Sequence, residues 1–191
     1  LGGNSKVSAL KITGGSLKGQ RLYTPASKEI RPLRSRIRKA LFDTLGQECI
    51  GLKVFDLFAG TGALGIEALS RGAEFVVFVD SSEESKKLIL KNLEKFKLLE
   101  RAKVYKKRLP TGLKELAELH PYSFDLIFIT PPYLKGLALK TLEALPSVFL
   151  SPETVVVVEE HSKVELPDRA NQLRLFKKKE YGETALWFYS L

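Results

Sequence analysis

Cysteine is almost missing from this chain of 191 residues. Cys49 stands alone, which excludes an intramolecular disulfide and a multi-cysteine metal site and suits a reducing cytoplasm. Histidine is scarce too: His120 and His161 lack metal-ligand spacing, so both are expected at the surface and no metal is expected. No apolar run approaches the roughly 18 residues needed to span a bilayer, and no secretory leader is legible, so no membrane association is expected. Acidic residues are sparse at one end. Residues 1–50 hold ten Lys and Arg against Glu29, Asp43 and Glu48, so this stretch carries +7 of the formal net charge of +9. Such clustering fits a polyanion partner whose phosphates are gripped largely without reading sequence, the plainer alternative being a solvated face.

What remains is a globular composition, in a length that suits one domain with a full core. The stretch "LKITGGSLKGQRLYTP" reads as two short strands with a glycine-rich connection, a β-hairpin. From Pro32, the residues Leu33, Ile37, Ala40, Leu41 and Leu45 fall at helical spacing, and that helix is expected to turn Arg34 and Arg38 outward. Beyond Gly51 the pattern alternates, with strands expected near 53–58, 75–80, 102–106, 124–129 and 154–159 and helices near 63–71, 83–97, 111–119 and 135–146. Alternation of this kind gives an α/β fold, a doubly wound and mostly parallel sheet with helices on both faces. The tail "LRLFKKKEYGETALWFYSL" adds an antiparallel hairpin about Tyr181-Gly182, for seven strands. Residues 1–50 are thus expected to form a basic extension and 51–191 the α/β domain.

The run "VFDLFAGTGALGIEALSRGA" follows the first of these strands and opens a helix. Gly60, Gly62 and Gly65 match a G-x-G-x-x-G spacing, in which glycines let a ligand approach the backbone and the helix N-terminus. The next strand ends in Asp80, 20 residues after Gly60, where a carboxylate can take the hydroxyls of a ribose; a helix N-cap is its other available role. Dinucleotides and S-adenosylmethionine both use this layout. Asp56 separates them, because a carboxylate inside an apolar strand needs a donor, either turn N–H groups or a cation. S-adenosylmethionine offers an ammonium there, whereas a pyrophosphate would be repelled.

A second segment, "DLIFITPPYLKG", ends a buried strand in Thr130, Pro131, Pro132 and Tyr133. Two prolines fix a rigid extended turn, which either terminates the strand or aims acceptors at a ligand.

Taken together, "DLFAGTGALGIEALSRGA" and "FDLIFITPPY" resemble a class I S-adenosylmethionine-dependent methyltransferase, and "ITGGSLKGQRL" with "RPLRSRIRKALFDTL" narrows the resemblance to the bacterial small-subunit (16S) ribosomal RNA guanine-N2 methyltransferases of the RsmD type. The resemblance runs from about Leu10 to the C-terminus. It implies that Asp56, Phe58, Ala59, Gly60, Thr61 and Gly62 surround the methionine end of the cofactor, that Asp80 with Ser81 holds its ribose, and that the Thr130-Pro131-Pro132-Tyr133 turn holds a guanine amino group. With the clustered charge, Lys18, Arg21, Arg31, Arg34, Arg36, Arg38 and Lys39 are expected to face ribosomal RNA or an assembled small subunit, in a cytoplasmic monomer. Three departures stand out. Thr130 replaces the Asp usual before Pro-Pro, Leu33-Arg34-Ser35-Arg36 replaces a Thr-x-Asp-Arg pattern, and no carboxylate or amide follows the third strand to meet the adenine, which leaves the backbone near Leu109.

The chemistry of such a site follows from its target. An exocyclic guanine amino group is a poor nucleophile because its lone pair is delocalised; acceptors for its two N–H groups, such as the Thr130 oxygen and the Pro131 carbonyl, would turn that pair toward a methyl group. Tyr133 would stack on a base turned out of its helix or loop. Adenine N6 or cytosine N4 as target, and a non-catalytic RNA-binding assembly factor on the same fold, are the competing readings.

Overall fold

The computed structural model describes residues 10–25 and 33–191. Arg31, one of the expected RNA contacts, lies outside the described residues, as do Pro32 and Lys28. The helix α1 spans Ser35–Leu45, and the strands and helices then alternate as β1 Lys53–Leu57, α2 Ala63–Ser70, β2 Phe75–Asp80, α3 Glu83–Lys95, β3 Ala102–Lys106, α4 Leu113–Leu119, β4 Leu126–Ile129, α5 Leu137–Ala144 and β5 Val155–His161. A hairpin of β7 Leu173–Tyr181 and β8 Thr184–Ser190 closes the chain. Among the described residues the sheet has eight strands in the order β3-β2-β1-β4-β5-β8-β7-β6, because the two-residue β6 Arg169–Ala170 adds to the seven expected. The first five are parallel and β8 joins β5 antiparallel.

Because β1, β2 and β4 are buried on both faces, they read as continuous apolar runs. Their alternate residues feed two cores. On one face Val54, Val76, Phe78 and Phe128 pack under α1, α2 and α3; on the other Phe55, Val77, Ile127 and Ile129 pack under α4 and α5. Gly65 sits where α2 crosses β2. A Cβ there would come within 2.2 Å of the Phe78 ring, so the third glycine of the motif serves close helix–strand packing.

The expected N-terminal hairpin is reduced to one bridge, Lys11 with Arg21, supported by backbone pairing of Ile12 with Gln20 and Leu22 with Leu10. Its glycine pair is explained by close approach: Gly15 has φ +77°, and a Cβ on it would fall 1.9 Å from the Ser70 carbonyl at the end of α2. Leu10, Ile12 and Leu22 join the same core as α1 and α2.

Two expectations about side-chain direction are corrected. Arg38 is buried, not outward. It lies between Leu41 and Phe42 around the helix and donates to Glu67 Oε1 at 3.0 Å, to the Leu33 carbonyl at 3.2 Å and to the Lys11 carbonyl. Glu67, fully buried in α2, also accepts from Thr13 N and Oγ1, Gly14 N and Arg71 Nε at 2.8–3.0 Å. A buried carboxylate saturated by five donors locks residues 10–25, α1 and α2 together. His120 is likewise buried, its Nδ1 and Nε2 at 2.6 and 2.9 Å from the Tyr122 and Tyr105 hydroxyls, because it ends α4 against an aromatic cluster. Among the described residues no helix is long and apolar enough to cross a membrane.

Candidate active site

Strand order reverses between β1 and β4, and the crevice outside the carboxyl ends of the strands at that point is where open α/β sheets take ligands. Leu57 pairs with Val79 on one side and Ile129 on the other. The next residue of each strand, Phe58, Asp80 and Thr130, therefore emerges side by side. The separate sequence motifs are brought to one rim by this register.

The glycine loop is tied to β2 at two points. Ala59 N–H donates to the Val79 carbonyl and Gly60 N–H to Asp80 Oδ2, both at 2.9 Å. The other oxygen, Asp80 Oδ1, accepts from Ser82 N–H at 2.9 Å, while the N-cap of α3 is Ser82 itself. Asp80 thus organises the loop without capping the helix, and each oxygen keeps a lone pair for a further donor. Phe58 adopts φ +61°, Gly60 +56° and Gly62 +77°, the last as the N-cap of α2. For a phenylalanine this conformation costs about 1–3 kcal/mol and persists only where its surroundings hold it. Here Thr130 Oγ1 donates to the Phe58 carbonyl at 3.2 Å and the Leu57 carbonyl at 3.3 Å.

Beneath the loop Asp56 is 1% exposed. Its Oδ2 accepts from Gly65 N–H at 3.0 Å in the first turn of α2, and its Oδ1 has no partner. Burial raises its pKa to about 8, only partly offset by the Gly65 hydrogen bond. Among the described residues, the other buried side-chain polar atoms without partners are Thr141 Oγ1 and Trp187 Nε1, neither of them on an ionisable carboxylate. Thr61 and Ala59 are buried in the glycine loop, Ser81 is exposed at the rim, and Leu109 is buried in the segment after β3 that starts with Lys107 N–H on the Asp80 carbonyl.

After β4, Pro131 is buried, Pro132 exposed and Tyr133 half-buried. The Tyr133 hydroxyl donates to Glu159 Oε1 and lies 2.8 Å from Thr184 Oγ1, and Leu134 N–H donates to Glu160 Oε1 at 3.0 Å. The sequence reading missed Glu159, Glu160 and Thr184. Two adjacent acids at the end of the apolar run "VVVVEE" were the available signal, as the lone acid in "ALGIEALS" was for Glu67.

Lys18, Arg21, Arg34, Arg36 and Lys39 are exposed, with Lys39 paired to Asp43 at 2.9 Å. A cleft of about 580 Å³ lies elsewhere, between residues 13–18, α1 and the C-terminal end of α2. Three of the cations lining it are engaged, Arg71 by Glu67 and the Gln47 carbonyl, Arg101 by the Leu69 and Ala73 carbonyls, and Lys39 by Asp43, while Lys18 is exposed.

The family described as Conserved hypothetical protein 95 matches residues 10–190. "Putative rRNA methyltransferase YlbH" of Bacillus subtilis is 34% identical, over 94% of this chain and 98% of the relative. "Ribosomal RNA small subunit methyltransferase D" of Escherichia coli is 30% identical, over 97% of this chain and 92% of the relative. The solved "Putative methyltransferase yhhF from Escherichia coli" superposes with a TM-score of 0.81 at 29% identity, covering 95% of this chain and 97% of that one. On the matched length and the shared fold, this chain belongs to the RsmD-type methyltransferase family.

Proposed function

We propose that this chain is an S-adenosylmethionine-dependent ribosomal RNA methyltransferase acting on the exocyclic N2 of a guanine in small-subunit RNA. The observation that carries the reading is the Asp56 carboxylate, buried, with one oxygen on Gly65 and the other without a partner, directly under the glycine loop. A cationic ammonium fits that deficit and a pyrophosphate does not. The loop and Asp80 supply the remaining features of a nucleoside site, so the residues present fit S-adenosylmethionine, which when bound supplies an electrophilic methyl group. Asp56 would hold its ammonium and Asp80 its ribose, with Phe58, Ala59, Gly60, Thr61 and Gly62 enclosing it and Ser81 and Leu109 at its border.

The protein's own part in the reaction is to hold the amino group. Thr130 gives its single hydroxyl proton to the Leu57 or Phe58 carbonyl, which leaves the oxygen as an acceptor. Among the described residues no group donates to the Pro131 carbonyl, so it offers a second acceptor on a turn that two prolines stiffen. Both acceptors gain strength as the nitrogen becomes positive, so they favour the transition state over the bound substrate. The half-buried Tyr133 ring bounds the base. The exposed Lys18, Arg21, Arg34, Arg36 and Lys39 of the N-terminal extension, residues 1–50, would grip phosphates, Lys18 and Lys39 from the cleft at the C-terminal end of α2. Arg38 does not belong to that group.

Tritiated methyl transfer to small ribosomal subunits and to free RNA, followed by nucleoside analysis, tests the reading. N2-methylguanosine is the expected product. Label on adenine N6 or cytosine N4 would replace the target, and RNA binding without transfer to any RNA would make the chain a non-catalytic factor.

A further inference from the structure

Two adjacent buried glutamates at the end of β5 have no role in the reaction as derived so far. Glu159 is 8% and Glu160 1% exposed, and among the described residues neither makes an ion pair with a cation. Burying carboxylates together without a cation is costly, so their neutral donors matter. All the side-chain hydrogen bonds of this pair belong to the turn after β4 and its surroundings. Glu159 takes the Tyr133 hydroxyl; Glu160 takes Leu134 N–H at 3.0 Å and His161 N–H at 2.7 Å. The register Ile129 to Val158 makes Thr130 and Glu159 neighbours at the strand ends, and the phenol also reaches Thr184 across β8. His161 meets the Tyr133 ring edge-on, with centroids 6.0 Å apart. Leu134 at φ +62° and Gly136 at φ +71° follow, so the backbone after Tyr133 turns through two left-handed residues while its anchors stay on β5.

We infer that Glu159 is a positioning residue: through the Tyr133 hydroxyl it fixes the plane of the ring beside Thr130 and Pro131, and so the angle at which a target base presents its amino group. This rests on the proposed methyl transfer. A half-buried aromatic with a free hydroxyl would sample several orientations, and a misplacement of about 1 Å at a reacting centre can cost a hundred-fold in rate. Burial lifts the Glu159 carboxyl to about 7, yet both its protonation states retain an oxygen that accepts from a phenol.

Steady-state methylation of small subunits tests the tether, using Glu159→Leu, Tyr133→Phe, the double variant and Glu159→Gln, with melting temperatures recorded for each. Glu159→Leu and Tyr133→Phe are each expected to lower kcat by about ten- to a hundred-fold, with KM for RNA and cofactor near the parent's. The double variant should be no slower than either single one, because both cut the same tether, and Glu159→Gln, which keeps an acceptor oxygen, should recover most of the loss. Parent-like kcat in either single variant, additive losses, or losses that follow the melting temperature would overturn the inference while leaving the proposed function standing. A parent inert on every RNA would overturn the proposed function, and this inference with it.

Discussion

Glu67 and Asp56 are both buried carboxylates in the first βα unit, and their surroundings differ in kind. Glu67 accepts from five donors drawn from residues 13–14, α1 and its own helix. Asp56 accepts from one, Gly65 N–H, and leaves an oxygen bare. A protein can bury a charge for structure by saturating it, and the seam around Glu67 does that. A carboxylate buried half-satisfied destabilises the free fold and is kept where a ligand completes it. The Glu67 seam thus serves assembly of the fold, and the half-satisfied Asp56 suits the proposed cofactor site.

The largest expected effect breaks the seam. Arg38→Leu removes one cation and leaves Glu67 short of a partner, which should cost about 3–5 kcal/mol and lower Tm by ~10 °C or more in thermal denaturation. Cofactor affinity measured well below that Tm should change little. A parent-like Tm would show that the Arg38–Glu67 pair contributes little to holding the fold together.

Next in size is the cradle. Asp80→Ala removes charge-assisted hydrogen bonds to Gly60 and Ser82 and should weaken cofactor binding by about 1.5–3 kcal/mol, roughly ten- to a hundred-fold by calorimetry, with a smaller change in Tm. Thr130→Val deletes both an acceptor for the substrate and a donor to the Phe58 carbonyl. Its expected loss is about 0.5–1.5 kcal/mol, seen as a lower kcat in single-turnover methylation. Parent-like turnover would pass the role to the Pro131 carbonyl. The smallest effect on stability belongs to Arg34 and Arg36, both exposed: replacing them by Ala should move it by less than about 0.5 kcal/mol while flattening the salt dependence of RNA binding. An unchanged salt slope would remove them from the interface.

The contrast also explains what could be read from the sequence. The strands and helices after Gly51, the glycine loop and Asp80 were legible because periodicity and spacing are local signals. The inward direction of Arg38 was not, since arginine is counted as a surface residue although position 38 falls between Leu41 and Phe42 on the helix. Its partner Glu67 is 29 residues away, and only the fold brings them together. The same holds for Tyr133, whose hydroxyl partners come from β5 and β8, 26 and 51 residues on. Two-residue β6 carries too little pattern to be seen. The orphaned Oδ1 of Asp56 is likewise a property of the assembled site; the sequence showed only that a carboxylate there needs a donor.

The central claim is that the incomplete partnership of Asp56 is completed by the cofactor's ammonium. With its pKa raised to about 8 by burial, Asp56 is mostly protonated in the free protein at pH 7 and must ionise when a cation seats against it. The sign is fixed: binding releases a proton below pH 8, and affinity rises as pH climbs toward 8. Calorimetry of S-adenosylhomocysteine binding at pH 7, in buffers of different ionisation enthalpy, reads that proton directly. Net proton release on binding is the predicted result, abolished together with much of the affinity in Asp56→Asn. Binding with no proton release, or parent-like affinity in that variant, would contradict it.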